Sequence, residues 1–154
     1  MRVTGLNFRK ARINDLPFLK NLSEELGYLN SFHDLEKRFQ EIEIAEDHQL
    51  LVATFSNGQT ESIVGMAHFR RLTSFSVPAQ LEITGVIVNS NHRSKGIGAA
   101  LIEQATPFAQ KLGLSRIRLT SNIQRNDAHR FYLRLGFKQV KTSHCFEKDL
   151  SAPV

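Results

Sequence analysis

The densest chemistry in the chain lies in residues 86–99, Val-Ile-Val-Asn-Ser-Asn-His-Arg-Ser-Lys-Gly-Ile-Gly-Ala. A β-branched run, Val86-Ile87-Val88, enters a short polar loop. That loop then runs through Arg93-x-x-Gly96-x-Gly98 into a helical pattern. The first N–H groups of a helix lack intrahelical acceptors, and the macrodipole adds partial positive charge there. Glycines let a phosphate reach those amides, while Arg93 and Lys95 add formal charge. This is the physics of a pyrophosphate cradle. The plain alternative is a glycine-rich turn that binds nothing. A dinucleotide fingerprint needs G-x-G-x-x-G and a P-loop needs a closing Gly-Lys-Ser/Thr; the loop has neither.

A second cluster follows further along: Ala128-His129-Arg130-Phe131-Tyr132-Leu133-Arg134-Leu135-Gly136-Phe137. Taken together, the Val-x-Val strand end, Arg-x-x-Gly-x-Gly and this A-x-x-x-Y-x-x-x-G-F run resemble the two signatures of the GNAT N-acetyltransferase superfamily. The opening, Phe8-Arg9-Lys10-Ala11 with Asp15-Leu16 before a helix, is similar to that superfamily's usual start. The likeness spans nearly the whole chain. It implies an α/β (mixed α+β) fold with a central mixed, mostly antiparallel sheet of about six to seven strands and about four flanking helices. It also implies direct transfer of an acetyl group from acetyl-CoA to a primary amine, small-molecule amines being favoured, with no covalent acyl-enzyme and no metal.

The resemblance assigns roles residue by residue. Backbone groups of Val86, Ile87 and Val88 would lie along the pantetheine arm, in a strand splayed from its neighbour. Amides of Arg93, Ser94, Lys95, Gly96, Ile97, Gly98 and Ala99 would hold the pyrophosphate. Ser94 stands where the family commonly has glycine. Tyr132 matches the tyrosine that faces the CoA sulfur, where a phenol can protonate or hydrogen-bond the departing thiolate; its plain reading is a packed helix aromatic. An alkylammonium must shed its proton before attack, at a cost of roughly 4–5 kcal/mol at pH 7. Glu82 matches a position where some members place a base, and equally reads as a solvated strand carboxylate. His68, His129, or no dedicated base are the alternatives. Where the family often has a cofactor-contacting Asn, this chain has Arg125, with Asn126 one place later. Either could meet the cofactor.

These residues need elements to position them. Residues 6–12 read as an opening strand. A helix follows with Asn14 or Asp15 as cap and Leu16, Leu19, Leu22 and Leu26 on one face, then a second with Leu35, Phe39 and Ile42. Residues 50–55 and 63–72 flank Asn57-Gly58, a hairpin signal in which both residues accept positive φ. Residues 81–88 read as a central strand covered on both faces, with Gly85 marking a bulge or close backbone approach. Residues 96–112 are helical by pattern, with Pro107 kinking the last turns. A strand at 117–120, a helix at 127–135 and one or two closing strands within 137–148 complete the order. Leu26-Gly27-Tyr28-Leu29 and Phe32 read as core or as acceptor-pocket lining.

Length and composition bound the rest. A chain of 154 residues with 41% hydrophobic and 23% charged residues fits one globular domain, here residues 1–150 with a short tail at 151–154. The single cysteine, Cys145, allows no intramolecular disulfide and reads as a packing residue. The six histidines are scattered, without HExxH. No signal-peptide pattern or membrane-length apolar run appears, so the expected compartment is the cytoplasm. A net charge of +5 suits a polyanionic cofactor. A basic nucleic-acid-binding module is the rival from another class, but no basic block interleaves with aromatics. A non-catalytic acyl-CoA sensor on the same fold is the other rival, and dimerisation is a family-level expectation.

Overall fold

The computed structural model describes residues 4–151. Met1–Val3 and the end of the expected tail lie outside the described residues. The chain forms two compact units, one ending at Thr120 and one beginning at Ser121.

The first unit holds strands β1 (Leu6–Lys10), β2 (His48–Ser56), β3 (Glu61–Leu72), β4 (Gln80–Val88) and β5 (Ile117–Leu119). Its helices are α1 (Leu16–Glu25), α2 (Phe32–Ile44), α3 (Ile97–Glu103) and α4 (Ala105–Lys111). The sheet order is β1-β2-β3-β4-β5. The first three pairings are antiparallel, and β4–β5 is parallel. The sheet is therefore mixed and mostly antiparallel, as expected, but it has five strands among the described residues instead of six or seven. The difference falls at 137–148, which carries no strand. Val140 and Phe146 are exposed there, so the apolar spacing that suggested strands meets no partner to pair with. Cys145 is exposed in the same segment, which overturns its reading as a packing residue.

The register sorts the sheet's side chains onto two faces. On one, Val52 and Ile87 join Leu16, Leu19, Leu22 and Phe39 of α1 and α2 in a buried cluster, with Met66 packed against it. On the other, Ala53, Ala67, Phe69, Leu81 and Ile83 are buried. Leu101 of α3 packs here, and Gly65 lets it approach. A Cβ at Gly65 would sit 3.1 Å from Leu101 Cδ1 and 2.9 Å from the Ile87 carbonyl. The single helix expected over 96–112 is two, parted at Gln104. Pro107 has no N–H to return to Glu103, so the break falls one turn earlier than a kink in the last turns. In the β2–β3 loop only Gly58 has positive φ. Asn57 instead closes the loop with its side chain, Oδ1 accepting from Gln59 and Thr60 N–H at 3.0 and 2.8 Å.

Asp15 occupies the cap position of α1, but its carboxylate looks backward. It accepts from Arg9 Nη1 and Nη2 at 2.7 and 3.0 Å and from Arg12 N–H at 2.7 Å. Glu61 holds the other edge of the same guanidinium. Burial pushes the Asp15 carboxyl up, yet the Arg9 and Arg12 hydrogen bonds outweigh it and leave the group below its usual value. The network ties β1, the hairpin and α1 together. Arg9→Met is expected to cost about 2 kcal/mol of stability, because it leaves Asp15 with only the Arg12 N–H bond. Denaturant titration of the two proteins checks this, and coincident midpoints would show the network to be idle.

Candidate active site

β4 carries the site. Its pairing with β3 slips so that His68 faces Gly85 while Phe69 faces Ile83, leaving Thr84 as the extra residue of a bulge. Gly85 thus marks the bulge its position suggested. β5 pairs only with Leu81, Glu82 and Ile83. Beyond Ile83 this edge of β4 has no strand partner among the described residues, so β4 and β5 part there. Asn89 N–H donates to the Val64 carbonyl at 2.9 Å, so Asn89 faces β3. By strand alternation Ile87 faces β3 too, while the N–H and C=O groups of Val86 and Val88 point to the open edge. Of the three residues expected along the cofactor arm, Ile87 thus has its backbone in the ladder and its side chain in the core.

The loop after β4 is braced from α1. Glu25 accepts from Asn89 Nδ2 and Ser90 N–H, each at 2.9 Å, and from Arg93 Nη2 at 3.3 Å. Arg93 Nε donates to the outward-facing Val88 carbonyl at 3.0 Å, and Lys95 Nζ to the Asn91 carbonyl at 3.1 Å. These two cations therefore shape the loop as well as charging it. Ser94 has φ +61° and Gly96 φ +80°, two left-handed residues that turn the chain into α3. A glycine would carry the Ser94 conformation without its steric cost, which explains why glycine is common at this place. Among the described residues, no backbone amide from Arg93 to Ala99 donates a hydrogen bond, and the first α3 amide with an acceptor is Ala100, to Gly96. The sequence pattern asked for such a row of free donors, and the structure brings it to the end of the open β4 edge.

Across the α1/α2 face, His48, Arg70, Glu82 and Arg118 stand directly opposite one another on four successive strands. Glu82 is not a free carboxylate. Its Oε2 accepts from Arg70 Nε at 2.7 Å, and its Oε1 lies 4.0 Å from Arg118 Nε. His68 shares the face, its Nε2 3.0 Å from His48 Nδ1 in a stacked pair. Burial, helped by the charges of His48 and Arg70, lowers the His68 pKa to about 4, so the ring is neutral at pH 7 and a feeble base. Glu25, His48, Arg70 and Arg118 escape a reading by motif, because their positions follow from register and helix docking.

The second unit carries α5 (Asn126–Arg134). Tyr132 packs between Phe131 and Phe137, with ring centroids 5.4 and 6.1 Å away, and its hydroxyl has no hydrogen-bond partner among the described residues. Arg125 and Asn126 line one polar concavity with Gln124, Asp127 and Arg130 at the start of the helix. His129 Nε2 is engaged by the Asn122 carbonyl at 2.9 Å, which gives that ring a structural task in holding the preceding turn. Leu26, Tyr28 and Leu29, between α1 and α2 in the first unit, and Phe32, the first residue of α2, are exposed, so they are not core.

A bulged strand split from its parallel neighbour and followed by unpaired amides at a glycine turn defines a mixed α/β protein of the N-acyltransferase type. The profile of the acetyltransferase (GNAT) family matches residues 16–137, and the chain belongs to that family of acetyl-CoA-dependent acyltransferases. Among curated relatives, an uncharacterized N-acetyltransferase of Bacillus subtilis (strain 168), YhdJ, is 31% identical over 137 residues, covering 87% of this chain and 88% of its own length. A solved protein of Bacillus halodurans C-125, described as a transcriptional regulator, superimposes with a TM-score of 0.78 at 28% identity, covering 93% of this chain and 99% of that one. Aminoglycoside N-acetyltransferase AAC(6')-Iy, solved in complex with CoA, reaches a TM-score of 0.81 over 96% of this chain and 97% of its own. At 15% identity that last likeness is one of fold alone. Among the described residues no helix is long and apolar enough to cross a membrane, and no group of three His, Cys, Asp or Glu side chains could hold a metal ion.

Proposed function

We propose that this protein transfers the acetyl group of acetyl-CoA directly to a primary amine of a small molecule. The observation that carries the reading is the row of unpaired amides from Arg93 to Ala99, beside the open edge presented by Val86 and Val88. Diphosphate oxygens need several donors at once, and these lack acceptors and are reinforced by positive charge. The amide-bearing arm of the cofactor matches a strand edge without a strand partner, where Val86 N–H and C=O and Val88 N–H stay open while the Val88 carbonyl accepts from Arg93. On the same reading Arg125 or Asn126 adds a polar contact from the concavity at the head of α5.

The reaction forms a C–N bond to the acetyl carbon and breaks its C–S bond. Strand amides stabilise charge developing on the carbonyl oxygen. The free Tyr132 hydroxyl donates a hydrogen bond to the departing sulfur. Glu82 Oε1, which is not taken by Arg70, receives the amine's proton directly or through water.

The test is release of free thiol from acetyl-CoA across an amine panel, with CoA binding followed by calorimetry. A thiolate leaves readily, so Tyr132 contributes about the strength of one hydrogen bond to an anion. Tyr132→Phe is therefore expected to lower kcat about tenfold with CoA affinity retained. Equal kcat in the two proteins would remove Tyr132 from the chemistry. CoA binding without turnover of any amine would favour the sensor reading.

A further inference from the structure

The row across the α1/α2 face holds two arginines for one carboxylate. Arg70 commits its Nε and Nη2 to Glu82 Oε2, both at 2.7 Å. Arg118 touches Glu82 only at 4.0 Å through Nε, and its terminal nitrogens have no partner among the described residues. Arg118 is the second of the three residues that β5 contributes to the sheet, one short of the point where β4 and β5 part. A guanidinium held only loosely through Nε, its terminal nitrogens unpaired, thus stands at the mouth of the split, next to a carboxylate oxygen that accepts no hydrogen bond. The pair offers complementary ends to a molecule with a cation and an anion a few bonds apart.

Resting on the transferase reading above, we propose that the acceptor is an amine that also carries an oxyanion, which Arg118 binds while Glu82 Oε1 takes the ammonium. A guanidinium presents parallel N–H donors that match two oxygens of a carboxylate or phosphate, a geometry that an ammonium side chain does not reproduce. Arg70, already neutralised, holds Glu82 in place so that the acceptor's amine is presented at the split.

Matched acceptors test this: β-alanine against propylamine for a carboxylate, and 2-aminoethyl phosphate against ethanolamine for a phosphate. The ratio of kcat/KM within each pair is expected to favour at least one anionic member by roughly tenfold to hundredfold, the range of a charge-assisted hydrogen bond. Arg118→Gln should collapse that ratio toward one, and Arg118→Lys should restore part of it. Lys111→Gln, on the far side of the sheet in α4, should leave the ratio as it is. Neutral amines used as well as their anionic partners, or a preference that survives Arg118→Gln, would overturn this inference alone and leave the transferase standing. Absence of thiol release with every amine would overturn the transferase reading and this one with it.

Discussion

Reversing the two loop cations, Arg93→Glu with Lys95→Glu, is expected to weaken CoA binding about a thousandfold. Each charge-assisted contact to phosphate is worth about 1.5–3 kcal/mol, and losing two of them multiplies their effects. The structure adds a complication that separates the two sites. Arg93 is bound to Glu25 and to the Val88 carbonyl, so glutamate there also sets two carboxylates against each other and loosens the loop. Lys95 touches only the Asn91 carbonyl and is exposed. Lys95→Glu by itself should cost tenfold or more in affinity with little change in melting temperature, which isolates the electrostatic part. Calorimetry with CoA at two salt concentrations reads both. If the double variant still binds tightly, the amides from Arg93 to Ala99 do not form a diphosphate site and the catalytic reading loses its foundation.

What could be read from the residues alone was whatever depends on neighbours in sequence. The free amides follow from a polar loop meeting a glycine-led helix, and the bulge from a glycine inside a β-branched strand. Arg9, Asp15 and the opening strand formed a local pattern that the structure turns into a three-way ion network with Glu61. What could not be read depends on register. Nothing near Glu25 says that it will brace a loop more than sixty positions away. Nothing near Glu82 says that one arginine will occupy it and another will stand beside it. The strands expected at 137–148 failed for the same kind of reason. Apolar residues at intervals state a preference for extended backbone, but pairing needs a partner edge that the segment itself does not encode. Ser94 shows the opposite case, in which a departure from the family pattern has a local meaning. Its φ of +61° retains the turn that glycine makes easily, at a conformational cost borne by the loop.

Stability is expected to fall by up to about 3 kcal/mol between pH 6.5 and pH 4, chiefly through His68. In the folded protein burial lowers this imidazole's pKa to about 4, against 6.5 for an ordinary histidine, with His48 and Arg70 adding to the effect. Between those two values the unfolded chain binds a proton that the folded chain refuses. Stability therefore rises with pH through this window and is lost as pH falls. Asp15 and Glu61 act lower down. Both carboxyls are held below their usual range, Asp15 by hydrogen bonds that outweigh its burial and Glu61 by Arg9. Their contribution is complete above the unfolded carboxylate range and disappears only as pH drops through their depressed folded values. The two windows are therefore separable. In His68→Gln the amide can still meet His48 across the 3.0 Å gap but cannot titrate. Denaturant unfolding at pH 7.5, 6, 5 and 4.5 should show a slope in the native protein and a nearly flat line in the variant until the carboxylates begin to protonate. Parallel slopes in the two proteins would mean that His68 accepts its proton as readily folded as unfolded. Neither burial nor the charges of His48 and Arg70 would then weigh on the ring.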